Sequence, residues 1–266
     1  MAPELPYNEA PERLIALDGC HNFRSVAGWR ARDGRTVAYG KLYRSDGLDQ
    51  LSSNDQTTLA GLGLRHVFDL RASGEIARSP SRWPAGLGLR IWTGAESAAE
   101  ADITTLMQRD GLDAGAFRQA MCRVYARFPD DLAAAVRALA AALLEEASAT
   151  PATLVHCTAG KDRTGFAVAM LLHAIGIEPD EVMADFLLSN ACFDTARQRF
   201  DTGGRLTELE ARAPGAVAAL VGVSADYLHA AERSAADSCG SIDGWLAARA
   251  GLDSTRRELL AARLLG

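Results

Sequence analysis

Apolar positions fall into two rhythms along this chain: short runs bounded by turn residues through the first third, then helical spacing through most of the rest. Arg32-Asp33-Gly34-Arg35 has the composition of a hairpin-type turn, and Lys41-Leu42-Tyr43-Arg44 reads as a short strand. Ser52, with Asp55 three residues on, has the form of an N-cap opening a helix that stops near Gly61 and Gly63. Leu64 to Leu70 then reads as a buried strand, and Leu87 to Trp92 as another. From Pro129 the pattern turns helical, with Leu132, Val136, Leu139, Leu143 and Leu144 on one face, until Pro151 ends it. Thr153 to His156 is a short strand feeding a polar loop, and Phe166 to Ile175 is an apolar helix closing at Gly176.

Helix, strand, loop, helix is the grammar of an α/β sheet whose ligand site lies at the carboxyl end of a strand. The expected fold is therefore α/β, with a central, mostly parallel sheet flanked by helices. Residues 153–176 supply strand, loop and helix within one domain spanning 1–266. Beyond Pro179 the chain reads as a helical extension: Pro179 to Ser189, Ser224 to Ala236, Ile242 to Ala250, and Thr255 to the end. Ser224, Gly251 and the Thr255/Glu258 pair mark the expected caps. Gly203-Gly204 and Pro214-Gly215 interrupt the stretch 190–222, which suits a helical lid.

Composition narrows the function classes. A chain of 266 residues, 48% hydrophobic, can bury a large core, and its net charge of −6 does not suit a protein that coats nucleic acid. An anionic substrate must then be attracted locally. No apolar stretch approaches the ~20 residues needed to span a bilayer, and the richest, Leu132 to Leu144, is interrupted by Arg137. Met1-Ala2-Pro3-Glu4-Leu5-Pro6-Tyr7 lacks the basic start and apolar run of a signal peptide, so a cytoplasmic location is expected, with signal-less export left open. Cys20, Cys122, Cys157, Cys192 and Cys239 are odd in number and form no C-x-x-C pair, which argues against a disulfide framework. His21, His66, His173 and His229 lack metal-ligand spacing, so neither metal nor other cofactor is expected.

The chemistry concentrates in His156-Cys157-Thr158-Ala159-Gly160-Lys161-Asp162-Arg163-Thr164-Gly165. A loop of this length ending at a helix N-terminus can curl so that the N–H groups of Thr158, Ala159, Gly160 and Lys161 point into one concavity, an anion site. The Arg163 fork would close it with two parallel bonds to phosphate. The same field favours a thiolate nucleophile at Cys157. Thr164 is placed to hydrogen-bond that sulfur or assist its departure. Lys161 would contact phosphate or hold Asp162, and His156 would orient the loop through hydrogen bonds. Asp162 is the nearest carboxylate and the expected general acid, with Glu96 and Asp102 in reserve.

This segment resembles the Cys-x5-Arg phosphate loop of the protein tyrosine phosphatase superfamily. Its Gly160-Lys161-Asp162-Arg163-Thr164-Gly165 form is similar to bacterial tyrosine phosphatases that also accept phosphoinositides. Asn22-Phe23-Arg24, Tyr43-Arg44-Ser45, Asp69-Leu70-Arg71 with Glu75, Tyr125, Tyr227-Leu228 and Gly240-Ser241-Ile242 extend the resemblance over most of the chain. It implies a tyrosine phosphatase-like fold and hydrolysis of phosphotyrosine through a phosphocysteine on Cys157. It implies phosphorylated proteins or phosphoinositides as partners, with phosphoserine and phosphothreonine as further substrates; it leaves the oligomeric state open. In the common enzymes a separate Trp-Pro-Asp loop supplies the acid, but here Trp83-Pro84 is followed by Ala85, a packing and turn element. Other readings of the loop are a sulfur-transfer or arsenate-reducing thiol enzyme, which would want a resolving cysteine close by, or a phosphate-binding module without turnover. Outside the loop, Arg71 and Glu75 have the spacing of a helix-surface ion pair. Arg24 and Arg44 are expected to be structural or solvated rather than to extend the phosphate site.

Overall fold

The computed structural model describes residues 13–94, 103, 105–109, 111–145 and 152–266. Five strands form one sheet: β1 (Arg24–Ser25), β2 (Leu42–Ser45), β3 (Leu64–Asp69), β4 (Arg90–Thr93) and β5 (Ala152–His156), in the order β1-β2-β5-β3-β4. Only the β1–β2 pair is antiparallel. β5, buried throughout, is central, and the register sets Ser45 and Asp69 level with His156 on either side of it. The chain therefore leaves three neighbouring strands at one line, and the turns after Ser45, Asp69 and His156 converge there.

α1 (Ser53–Gly61) has the expected capping box, with Ser52 and Asp55 bonding each other's backbone N–H. α2 (Ser73–Arg78) follows β3 directly. The next helix departs from expectation: α3 runs Ala114–Asp131, capped by Asp113, with Pro129 inside its last turn. A proline there removes one N–H from the ladder. Phe117, Met121, Val124, Tyr125 and Phe128 are nevertheless all buried, and at roughly 1.5–3 kcal/mol per large apolar side chain that burial outweighs the lost bond. The chain breaks just after, at Leu132, and resumes as α4 (Ala133–Glu145).

α5 (Arg163–Ala174) is buried on nearly every side. It packs against α4, β5 and the C-terminal helices α10 (Ala225–Cys239), α11 (Ile242–Ala248) and α12 (Ser254–Leu264). Trp245 meets Phe166 edge-on at 5.8 Å. Gly176, at φ +79°, ends this region as expected. The expected cap of the last helix is corrected: Asp253, not the Thr255/Glu258 pair, accepts the Arg256 N–H. Its carboxylate reaches the third amide inside the helix, which Thr255, already within the first turn, cannot do.

α6 (Pro179–Leu187) precedes the interrupted stretch. That stretch folds as three short helices, α7 (Phe193–Phe200), α8 (Arg205–Arg212) and α9 (Ala216–Val221). Gly203, Gly204 and Gly215 turn the chain between them in left-handed backbone. Among the described residues no helix is long and apolar enough to cross a membrane.

Candidate active site

The loop from Cys157 to Asp162 leaves β5 and enters α5 at the floor of a cavity of about 460 Å³. Cys157, Thr158, Ala159, Lys161, Asp162 and Arg163 all line it, and Cys157 is its sole cysteine. Gly160 turns the loop at φ +66°, and a Cβ there would fall 2.4 Å from the Ser45 backbone, so only glycine allows this approach.

Arg163 is buried and holds a fixed pose. Nη1 donates to the Leu70 carbonyl at 3.0 Å and to Glu75 Oε2 at 2.5 Å, while Nη2 donates to Glu75 Oε1 at 2.7 Å. Three of the five guanidinium N–H groups are thus used. The remaining two, on Nε and Nη2, share one edge of the fork, the geometry that grips two phosphate oxygens. Glu75 also accepts from the Thr158 hydroxyl and, at 2.8 Å, from the Ala72 N–H. Burial alone would raise the Glu75 carboxyl, but the Arg163 hydrogen bonds and charge, with the Thr158 bond, outweigh it and hold it down to about 2. The carboxylate in turn holds the Arg163 guanidinium above its ordinary value against the opposing effect of burial.

The expected Arg71–Glu75 surface pair does not form. Arg71 precedes the first turn of α2 and so is not on its surface; its Nη2 and Nε grip Asp69 at 2.7 and 2.9 Å. Glu75 instead turns beneath the phosphate loop. Arg24 and Arg44 are not solvated either, for both are completely buried beside Asp185.

Asp162 takes two donors on one oxygen: the Tyr125 hydroxyl at 2.6 Å and Lys161 Nζ at 2.8 Å, both to Oδ1. Lys161 thus holds Asp162, and its ammonium also reaches the Gly222 carbonyl at 3.4 Å. Burial, with the Asp162 charge beside it, pushes the Tyr125 phenol well above its usual range, so it remains a donor. Thr164 Oγ1 is buried without a partner among the described residues, directly after the arginine.

The His156 ring is packed between Asp69, Trp83 and the Cys157 backbone. Neither ring nitrogen has a hydrogen-bond partner among the described residues; Nε2 lies 3.6 Å from Asp69 Oδ2, and Trp83 meets the ring edge-on at 6.1 Å. Burial pulls this imidazole below its ordinary value, against the raising effect of Asp69, and keeps it neutral. The His156 carbonyl accepts the Leu70 N–H at 2.8 Å. Glu96 and Asp102, the reserve acids, lie outside the described residues.

The profile of the tyrosine phosphatase family matches residues 15–266, nearly all of the chain. The chain belongs to the tyrosine phosphatase family. It is similar to the triple specificity protein phosphatase PtpB of Mycobacterium tuberculosis, at 34% identity over 94% of this chain and 98% of the relative. A Cupriavidus necator protein named as a tyrosine-protein phosphatase is 35% identical over 87% of this chain and 82% of that one. A solved chain, P. aeruginosa TpbA, aligns at a TM-score of 0.33 and 16% identity, covering 82% of this chain and 94% of that chain. This tyrosine phosphatase is accordingly a cysteine-dependent phosphatase, as the loop led one to expect. Sequence reasoning missed Tyr125 and Glu75 as partners of the loop. Both stood among the residues resembling the family, but nothing local marked which side chain each would meet.

Proposed function

We propose that this chain hydrolyses phosphotyrosine monoesters through a phosphocysteine on Cys157, and that it accepts phosphoserine, phosphothreonine and phosphoinositide esters less selectively. The observation that carries the reading is the joint placement of Cys157 and the free edge of Arg163 on the floor of one cavity. Beside that polar floor one part of the wall is apolar, built from Met107, Phe200, Leu206, Leu220 and Val221, while Asp49, Gln50, Arg78 and Arg205 line the rest. Such a wall suits the ring of a phosphotyrosine better than a short hydroxyl side chain. A relative named for triple specificity supports testing a panel of esters rather than one.

In the first step the Cys157 sulfur attacks phosphorus, the P–O bond to the leaving group breaks, and the departing oxygen takes its electron pair and a proton from Asp162. In the second, water attacks phosphorus, Asp162 takes a proton from it, the P–S bond breaks, and the thiolate returns with Thr164 to hydrogen-bond it. Arg163 and the loop N–H groups bind the equatorial oxygens in both steps. The stretch 190–222 is the lid of this cavity.

The test is Cys157→Ser. Serine keeps the loop N–H groups but is a far poorer nucleophile at neutral pH. Turnover of phosphotyrosine peptides should vanish while a phosphate analogue still binds. Residual activity above about a hundredth of wild type would sink the phosphocysteine route.

A further inference from the structure

Two motifs that the chemistry above leaves unused, Asn22-Phe23-Arg24 and Tyr43-Arg44-Ser45, lie behind the phosphate loop and hold it from outside. Asn22 Nδ2 donates to the carbonyls of Ala159 and Gly160, each at 3.2 Å. Arg44 Nη2 donates to the Gly160 carbonyl at 2.9 Å. The Gly47 N–H donates to the Thr158 carbonyl at 3.0 Å. Three consecutive carbonyls are thus tied on one side of the loop.

In a trans peptide the C=O and the next N–H are coplanar and point in opposite directions, and the described chain has no cis bond. Tying the carbonyls of Thr158, Ala159 and Gly160 outward therefore turns the N–H groups of Ala159, Gly160 and Lys161 inward. None of those three N–H groups donates to a described protein group. They are the donors an oxyanion would meet.

The anchors are themselves fixed. Arg44 spends its other arm on Asp185 Oδ2 at 2.5 Å. Arg24 donates to the Asn22 side-chain oxygen, to the Asp185 carbonyl at 2.9 Å and to Ser189 Oγ at 3.2 Å. That leaves the Asn22 nitrogen, not its oxygen, facing the loop. Asp46 accepts the backbone N–H of Asn22 at 3.0 Å and of His21 at 3.1 Å, so the residue cannot slide. Burial, with the Arg44 charge beside it, pulls Arg24 down to about 10, still charged at neutral pH. Asp185 lies between the two buried guanidinium groups, with Oδ1 3.6 Å from Arg24 Nε, while Arg24 Nε and Arg44 Nε have no hydrogen-bond partner among the described residues; charges this deeply buried depend on that shared carboxylate.

We propose that Asn22 and Arg44 are positioning residues that set the oxyanion affinity of the loop by locking its peptide planes from Thr158 to Lys161. This rests on reading the loop as the phosphate site.

Asn22→Ala removes the donor. Asn22→Asp removes it while keeping the acceptor for Arg24, and Arg44→Lys keeps charge but loses the fork. Each is compared with wild type for orthovanadate binding, for kcat and KM on p-nitrophenyl phosphate, and for thermal stability. Orthovanadate affinity should fall roughly ten-fold or more in each, with kcat/KM falling in step. A role in stability alone would lower Tm and the active fraction but leave the affinity of the folded fraction unchanged. Either folded Asn22 variant binding orthovanadate as wild type does overturns the proposal. Independently of any variant, the backbone amide resonances of Ala159, Gly160 and Lys161 in the wild-type protein should shift on adding orthovanadate; if they do not while others in the loop do, the proposal fails. A wild type that binds no orthovanadate would instead overturn the phosphate-site reading.

Discussion

At the scale of single residues, Asp162 poses the sharpest question. Its Oδ1 takes both the Tyr125 hydroxyl and the Lys161 ammonium, so a transferable proton belongs on Oδ2. Asparagine at this position keeps an oxygen for those two donors and loses only the transferable proton, leaving the loop's shape intact. General acid catalysis is worth about 10²–10⁴ when the leaving oxygen is strongly basic and far less when it leaves easily. Asp162→Asn should therefore slow phenyl phosphate hydrolysis by that order while barely touching p-nitrophenyl phosphate. Equal slowing of both would assign Asp162 to loop geometry and send the search for an acid to Glu96 and Asp102. That Cys157, Asp162 and Arg163 share one loop was legible because they lie within seven consecutive residues. Their partners were not. Glu75 is 88 positions from Arg163, Tyr125 is 37 from Asp162, and Asn22 is 138 from Gly160; strand order brings the first and third pairs together, and the packing of α3 the second.

At the scale of elements, the proposed lid consists of helices too short to stand alone. α7 and α8 have eight residues each and α9 has six, whereas isolated helices below about 12–15 residues are marginal in water. The order of α8 and α9 depends on burying Leu206, Leu209, Leu220 and Val221. The Lys161 contact to the Gly222 carbonyl ties the end of α9 to the phosphate loop. Amide exchange over 193–221 should accordingly be faster than in α5 and should slow when orthovanadate fills the site. Protection that matches α5 in the free protein and ignores the anion would argue against a moving lid. The breaks themselves were readable, because Gly203, Gly204 and Gly215 adopt the backbone that favours glycine. The start of α3 was not, because Pro129 reads locally as a helix opening while the buried face from Phe117 to Phe128 outweighs it.

At the scale of the whole molecule, the C-terminal helices are built into the fold that carries the site. α12 packs on α4 and α5, and α5 begins at Arg163. The chain end also closes back on the first third: Val37 bridges Leu265, and Thr36 and Gly266 exchange backbone bonds at 3.1 and 2.9 Å. We infer one cooperative unit, and Leu264 tests it. Its side chain is completely buried and distant in sequence from every residue of the loop. Leu264→Ala should cost roughly 2–5 kcal/mol through lost transfer energy and the cavity left behind. For a domain of this size that corresponds to a fall in Tm of roughly 5–15 °C. If the C-terminal helices and the phosphate loop belong to one unit, far-UV ellipticity, near-UV signal and p-nitrophenyl phosphate activity should all be lost at the same lowered temperature. Below it, kcat and KM should stay at wild-type values, since no contact with the loop has been removed. An early loss of helix with activity surviving to the original Tm would mean that α12 melts by itself and that the helical extension is a separable appendage.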